Sequence, residues 1–324
     1  MTAITDPARL RDRFAGCLLG GAIGDALGMP AEGLTREQIR AAWGTLDHLA
    51  DPLPDSLCRT LRAGQYTDDT QLALLVAESL VERGTADPED FGRRVAAWHQ
   101  TGAHAGRGPG ITSLRAAGNL ARGLSWEKAG IFAAGNGTAM RAAPLGLWHF
   151  DDVEALRRAA GENARVTHTD PLAVAGSEAV AYAVAHLLRS EGPEDLDALA
   201  FAEDIAAFVA PTSERMAEAI RHVADLLARP LEEGFAATGT GGFVLETVPA
   251  ALLALLRSPD DFAGAVIAAA NTEGDPDTIA CITGNLSGAL LGAERLPPEW
   301  RAGVEDGEKI AGLAAQLADL VLRR

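Results

Sequence analysis

Two short acidic segments carry the densest chemistry in this chain of 324 residues. Tyr66-Thr67-Asp68-Asp69-Thr70 and Glu273-Gly274-Asp275-Pro276-Asp277-Thr278 each place two carboxylates and a threonine hydroxyl within four residues. Each precedes an apolar helical pattern, so helix capping is a good account of either one alone. Threonine and aspartate are favoured N-caps, first-turn acids complement the helix dipole, and Pro276 suits the first helical position. Together they hold more negative charge than capping requires. If the two segments meet in the fold, Asp68, Asp69, Asp275 and Asp277 enclose one volume with Thr67 and Thr278, and carboxylates that close repel unless a cation joins them. All six ligands are hard oxygen, which selects magnesium, manganese or calcium over zinc or copper. Six oxygens plus water suit two ions, and neither segment has the spacing of an EF-hand.

Two further segments could serve such a centre. In Gly24-Asp25-Ala26-Leu27-Gly28-Met29-Pro30-Ala31-Glu32-Gly33, Asp25 falls inside a helical stretch and Glu32 follows Pro30 into a loop. Taken singly, Glu32 reads as solvent decoration; beside an acidic cluster it becomes a candidate general acid/base. In Gly135-Asn136-Gly137-Thr138-Ala139-Met140-Arg141, the Gly-Asn-Gly turn lets backbone approach a ligand, and successive amides there can cradle an anion. The spacing is neither a Walker A loop nor a dinucleotide fingerprint. Arg141 could add a charge to a phosphate or form an internal ion pair.

The elements that must hold these residues read as helices. Alanine and leucine dominate, aromatics are 5%, and β-branched runs are scarce, which favours helix on intrinsic propensity. Helical periodicity marks 71–83, 172–188, 201–209, 216–227, 244–256, 262–270, 279–291 and 310–322. No strand alternation persists, so the expectation is one all-α domain over 1–324. Gly16, Gly20, Gly24 and Gly28 recur every four residues, as do Gly284, Gly288 and Gly292. Each ladder forms one face of a helix. Interior glycine costs about 1 kcal/mol against alanine, so close helix–helix approach is the expected compensation, bringing the helix ends into a shared crevice.

Composition narrows the classes of function. With 28 Lys+Arg against 45 Asp+Glu the net charge is −17, and there is no basic block, which argues against non-specific nucleic-acid binding and anionic membranes. Cys17, Cys58 and Cys281 are widely spaced and form no CxxC pair, so they read as buried hydrophobes in a reducing compartment. Residues 1–16 lack the apolar core of a signal peptide, and no apolar run reaches the ~20 residues of a membrane span. A cytoplasmic monomer is expected.

Taken in order, GCLLGGAIGDALGMPAEG at 16–33, YTDDTQLAL at 66–74, GNGTAMRAAPLG at 135–146, THTDP at 167–171 and EGDPDTIACITGNLSGALLG at 273–292 resemble the ADP-ribosylglycohydrolase family. That family includes the enzyme that reactivates dinitrogenase reductase and the vertebrate ADP-ribosylhydrolases. The resemblance runs along nearly the whole chain, and its two acidic motifs are highly specific. It implies an orthogonally packed all-α fold around two divalent cations, Mg2+ or Mn2+, with Thr67, Asp68, Asp69, Asp275, Asp277 and Thr278 as ligands. It further implies Glu32 as the acid/base, Gly135, Asn136, Gly137 and Thr138 as the diphosphate loop, and His168 on the ribose side. Asp25 matches the aspartate of the first motif, where a structural role is expected. One branch has an aspartate near Gly106–Ser113; here Gly108-Pro109-Gly110 stands instead, which bears on acceptor specificity.

The function expected is metal-dependent hydrolysis of ADP-ribose from a modified acceptor, foremost protein ADP-ribosylarginine. Serine, a nucleic acid base or O-acetyl-ADP-ribose are alternative acceptors. A metal-dependent phosphoester hydrolase and a non-catalytic ADP-ribose reader are the competing classes, and the second predicts loss of a ligand or of Glu32, all of which are present.

Overall fold

Gly20 and Gly284 face each other across a helix pair whose backbones touch. In a computed structural model, which describes residues 6–324, the Pro7–Gly28 and Pro276–Leu291 helices run antiparallel with their backbones in contact. Gly16 opposes Gly288, Gly20 opposes Gly284, Gly24 opposes Ala280 and Gly28 opposes Asp277. A Cβ at Gly28 would stand 2.5 Å from the Asp277 Cα, and one at any of the others would strike a partner carbonyl. The glycines are therefore a condition of the packing, as their period implied. Gly292 differs from the expected interior position: its φ of +87° closes the helix, so it is a terminator.

This pairing has a directional consequence. Because the two helices are antiparallel, the end of the first emerges beside the beginning of the second. Asp25 and Glu32 are thereby carried to Asp275 and Asp277.

Around the pair, the described residues form seventeen α-helices and four short 3-10 turns, with two isolated bridge pairs and no strand. One apolar core runs from Leu10 to Val321. The Pro171–Arg189 helix buries most of its circumference, as its Ala/Val-rich pattern implies. The Asp68–Arg83 helix starts three residues before its periodic stretch, since its first turn is the acidic motif itself. Pro88–Gln100 and Val153–Arg165 are helices that the apolar pattern did not single out; arginines interrupt their stripes, and Asp87 and Asp152 cap them.

The expectation on membrane spans needs correction. Pro7–Ala31 and Pro171–Arg189 are long and apolar enough to cross a bilayer, but 94% and 83% of their apolar windows is buried inside the protein. They are core helices whose hydropathy reflects that burial. The three cysteines are free and buried. The reading of the N-terminus as lacking a signal peptide rests partly on residues 1–5, which lie outside the described residues.

Candidate active site

The first acidic motif is held from its inner side by Asp25. This carboxylate is fully buried and accepts the Thr67 amide at 2.9 Å, the Thr70 amide at 3.0 Å and the Thr70 hydroxyl at 2.6 Å. Thr67 is the N-cap of the helix, its Oγ1 accepting from the Asp69 amide at 3.3 Å. With the helix start capped by Thr67 and Asp25, the Asp68 and Asp69 carboxylates are free to face outward into a cleft. The amide of Asp68 is held in turn by the carbonyl of Arg107 at 2.9 Å.

The second motif departs from capping altogether. Asp275 occupies the N-cap position, yet its side chain accepts nothing from the helix. It accepts instead from the side-chain amide of Asn136 at 2.6 Å, and the same amide donates to Thr247 Oγ1 at 3.0 Å. Asn136 thus joins the glycine turn to the acidic motif. Gly274 permits the approach of the 240–241 loop, because its φ is +87° and a Cβ there would meet the Thr240 carbonyl at 2.6 Å.

These segments enclose one cleft of about 330 Å³. Glu32, Asp68, Asp69, Asp275, Asp277 and Thr278 line its acidic side, and Gly135, Asn136, Gly137 and His168 line the other. Three expected site residues do not line it. Thr67 is buried beneath as a cap, and Thr138 donates to the Ala173 carbonyl at 2.6 Å. Arg141 is fully buried: its guanidinium donates to the Gly137 carbonyl at 2.7 Å and to Asn163, and lies 5.0 Å from the Phe91 ring centre. Its place is behind the turn, holding it, and the expectation of a phosphate contact is corrected accordingly.

Burial and mutual repulsion dominate the electrostatics. Burial first, then the neighbouring carboxylates, push Asp68, Asp69 and Asp277 well above the usual range. Burial likewise lifts Glu32 to about 7, although the Cys58 thiol donates to its Oε2 at 2.8 Å and opposes the rise. His168 is pushed down to about 3 by burial and by Arg141, so it is neutral near pH 7. Its Nδ1 pairs with Thr167 Oγ1 at 2.8 Å, while Asp170 caps the next helix. Its Nε2 faces the glycine turn, 3.5 Å from where a Cβ of Gly135 or Gly137 would lie.

Asp68 Oδ2, Asp69 Oδ2 and Asp277 Oδ1 are buried with no hydrogen-bond partner. Orphaned carboxylate oxygens are costly, and their hard donor chemistry fits a divalent cation. Among the described residues, no three His, Cys, Asp or Glu side chains form a ready-made ligating group as they stand.

The remaining wall was not identified as site from the residues. Gly108, Gly110, Ile111, Thr112 and Ser113 complete the cleft, and Gly108 lies against Glu32. The glycine spacing of Gly106-Arg107-Gly108-Pro109-Gly110 was the available signal, and the sequence reading treated this stretch only as a departure in acceptor handling. Cys58, an isolated thiol in a loop, gave none.

Residues 6–324 match the family profile described as ADP-ribosylglycohydrolase. The fold is similar to a solved structure titled "ADP-ribosylglycohydrolase-related protein complex", with a TM-score of 0.76, 31% identity and coverage of 97% of this chain and 99% of that one. Among curated proteins, an ADP-ribosylarginine hydrolase, Tri1, of Pseudomonas putida is 30% identical over 329 residues, covering 97% of this chain and 80% of its own. The ADP-ribosylhydrolase ARH3 of Gallus gallus is 27% identical over 351 residues, covering 95% and 93%.

Proposed function

This chain belongs to the ADP-ribosylglycohydrolase family, and we propose that it releases ADP-ribose from protein ADP-ribosylarginine in a reaction that depends on divalent cations. The observation that carries this reading is the set of unpartnered oxygens on Asp68, Asp69 and Asp277, in one cleft with the Gly135–Gly137 turn. The similarity to an arginine hydrolase supports the choice of acceptor.

In this reading Asp68, Asp69, Asp275, Asp277 and Thr278 would hold two ions, Mg2+ or Mn2+, with Thr67 beneath them as the cap of the first acidic segment. When bound, the ions would supply Lewis acidity and a template for the hydroxyls of the distal ribose. The turn at Gly135–Gly137 would receive the diphosphate on amides other than that of Asn136, which donates to the Gly242 carbonyl at 3.1 Å, and Arg141 keeps that turn in shape from behind. The neutral His168 presents Nε2 to the ribose side. Glu32, whose carboxyl burial pushes upward, gives a proton to the departing nitrogen as the bond from the anomeric carbon breaks. Positive charge then builds on the sugar ring oxygen and carbon, and water attacks that carbon. The proton that water loses returns to Glu32.

The test is release of ADP-ribose from a protein modified on arginine, measured with and without EDTA. The expected product is free ADP-ribose, lost on chelation and restored by Mg2+ or Mn2+. AMP or inorganic phosphate as product removes the glycosidic reading, and full activity after thorough chelation removes the cations. Parallel substrates modified on serine decide the acceptor.

A further inference from the structure

We infer that Arg107 and Glu305, outside the cleft and 198 residues apart, form a clamp that positions the Thr67–Asp69 segment. The inference rests on the reading of that segment as part of the cation-holding motif. Arg107 grips both sides of Thr67. Its guanidinium donates to the carbonyl of Tyr66 at 2.6 Å, and its own carbonyl accepts the amide of Asp68 at 2.9 Å.

The guanidinium is itself fixed by a two-pronged pair with Glu305, at 2.5 and 2.9 Å. Glu305 is fixed in turn, since its amide donates to the Gly64 carbonyl at 2.8 Å and its Oε1 accepts from Gln65 at 3.2 Å. The Tyr66 hydroxyl donates to Asp306 at 3.1 Å. Asp306 has a φ of +57°, and non-glycine backbone in that region persists only where its surroundings over-determine it. The Arg107 and Glu305 side chains are 17% and 24% exposed, so solvent weakens their pairing less than at an open surface.

The physical need for a clamp comes from the acids. Asp68 lies near Asp25, Glu32 and Asp275, and Asp69 near Asp25 and Asp275, so this segment has to be held within a crowd of carboxylates. Asp25 holds the inner side through the amides of Thr67 and Thr70; Arg107 holds the outer side through Tyr66 and Asp68. The next residue, Gly108, lies against Glu32, so the same device places the cleft wall beside the acid/base. Arg107 and Glu305 are positioning residues. They act by keeping the Asp68 and Asp69 carboxylates aimed before any cation arrives, as outer partners of metal ligands do.

The experiment uses the full chain with Arg107→Ala, Glu305→Ala, the double variant and the milder Glu305→Gln, each first shown to melt cooperatively. Two readouts are taken without substrate: amide hydrogen exchange across residues 66–70, and Mn2+ affinity by calorimetry. Each single alanine variant is expected to speed exchange at 66–70 and weaken Mn2+ binding about tenfold. The double variant should be no weaker than either single variant by more than about twofold, because one device is being removed. Glu305→Gln, which keeps a side-chain acceptor for the guanidinium while Arg107 keeps its bond to the Tyr66 carbonyl, should lose less than Glu305→Ala. In hydrolysis, kcat should fall while KM stays near its starting value. Unchanged exchange at 66–70 in folded variants overturns the clamp, as does additive loss in the double variant. If the unaltered protein binds no Mn2+, the cation reading falls, and the exchange measurement still decides the clamp.

Discussion

The hydroxyl of Thr70 donates to the carboxylate of Asp25 at 2.6 Å, tying the first helix to the start of the Asp68–Arg83 helix. The same carboxylate accepts two buried amides, so Asp25→Ala leaves three polar groups without a partner. Each such loss costs about 1–3 kcal/mol, and the expected destabilisation is about 3 kcal/mol or more by urea unfolding. A loss below about 1 kcal/mol would show that Asp25 does not anchor the motif.

The glycine faces allow a paired comparison. Gly20→Ala drives a methyl into the Gly284 carbonyl between two fixed backbones, and overpacking of that kind should cost about 3 kcal/mol or more. Gly312 lies exposed on the Gly307–Val321 helix with nothing within 4 Å of a Cβ, so Gly312→Ala should stabilise by about 0.5–1 kcal/mol. Equal effects at the two sites would contradict the close packing of the ladder helices.

Roles within the cleft separate by substitution. Glu32→Gln should keep divalent-cation binding and lose about 100-fold or more in kcat, the scale of general acid/base contributions. Asp68→Asn and Asp277→Asn should lose cation affinity and turnover together. A fully active Glu32→Gln would remove the proton-transfer assignment.

Saturating Mn2+ should also raise the melting temperature. A ligand held only by the folded chain stabilises by about 2.7 kcal/mol at a concentration 100 times its dissociation constant. Asp277→Asn should abolish most of that rise, and an unaltered rise would place the cation elsewhere.

Acid stability is predicted at Asp90, away from the cleft. Burial alone would raise its pKa, but hydrogen bonds from Arg94 at 2.7 Å, Ser79 at 2.8 Å and Arg93 at 2.8 Å hold it below the usual carboxylate range. A carboxylate lowered in the folded state stabilises above its unfolded pKa of about 3.9, and that contribution is lost as pH falls through the folded value. Asp90→Asn should therefore destabilise by about 1–2 kcal/mol at pH 7, with the gap narrowing below pH 4. A gap of the same size at pH 3 would count against this linkage.

Much of the site was legible before folding because its chemistry demands residue types that other roles do not. Two carboxylates beside a threonine, twice, exceed what a helix cap needs, and six of the seven periodic glycines serve close approach, Gly292 alone ending its helix. Arg141 and Thr138 were misplaced for the opposite reason. A buried arginine behind a turn and one in front of it look alike in sequence, because the choice depends on whether Asn163 is near enough to satisfy the guanidinium. Arg107 and Glu305 were invisible: each is an ordinary charged residue, and only their pairing across the fold gives either a purpose.

What the residues alone determined was the helical class, the glycine-bearing helix faces and the identity of the acids, all properties of local spacing and side-chain chemistry. The tertiary structure decided which acids share a volume, which side chains face the cleft and which hold it from behind. Those outcomes depend on the antiparallel sense of two helices more than two hundred residues apart, and periodicity along one chain carries no information about the direction in which a distant partner runs.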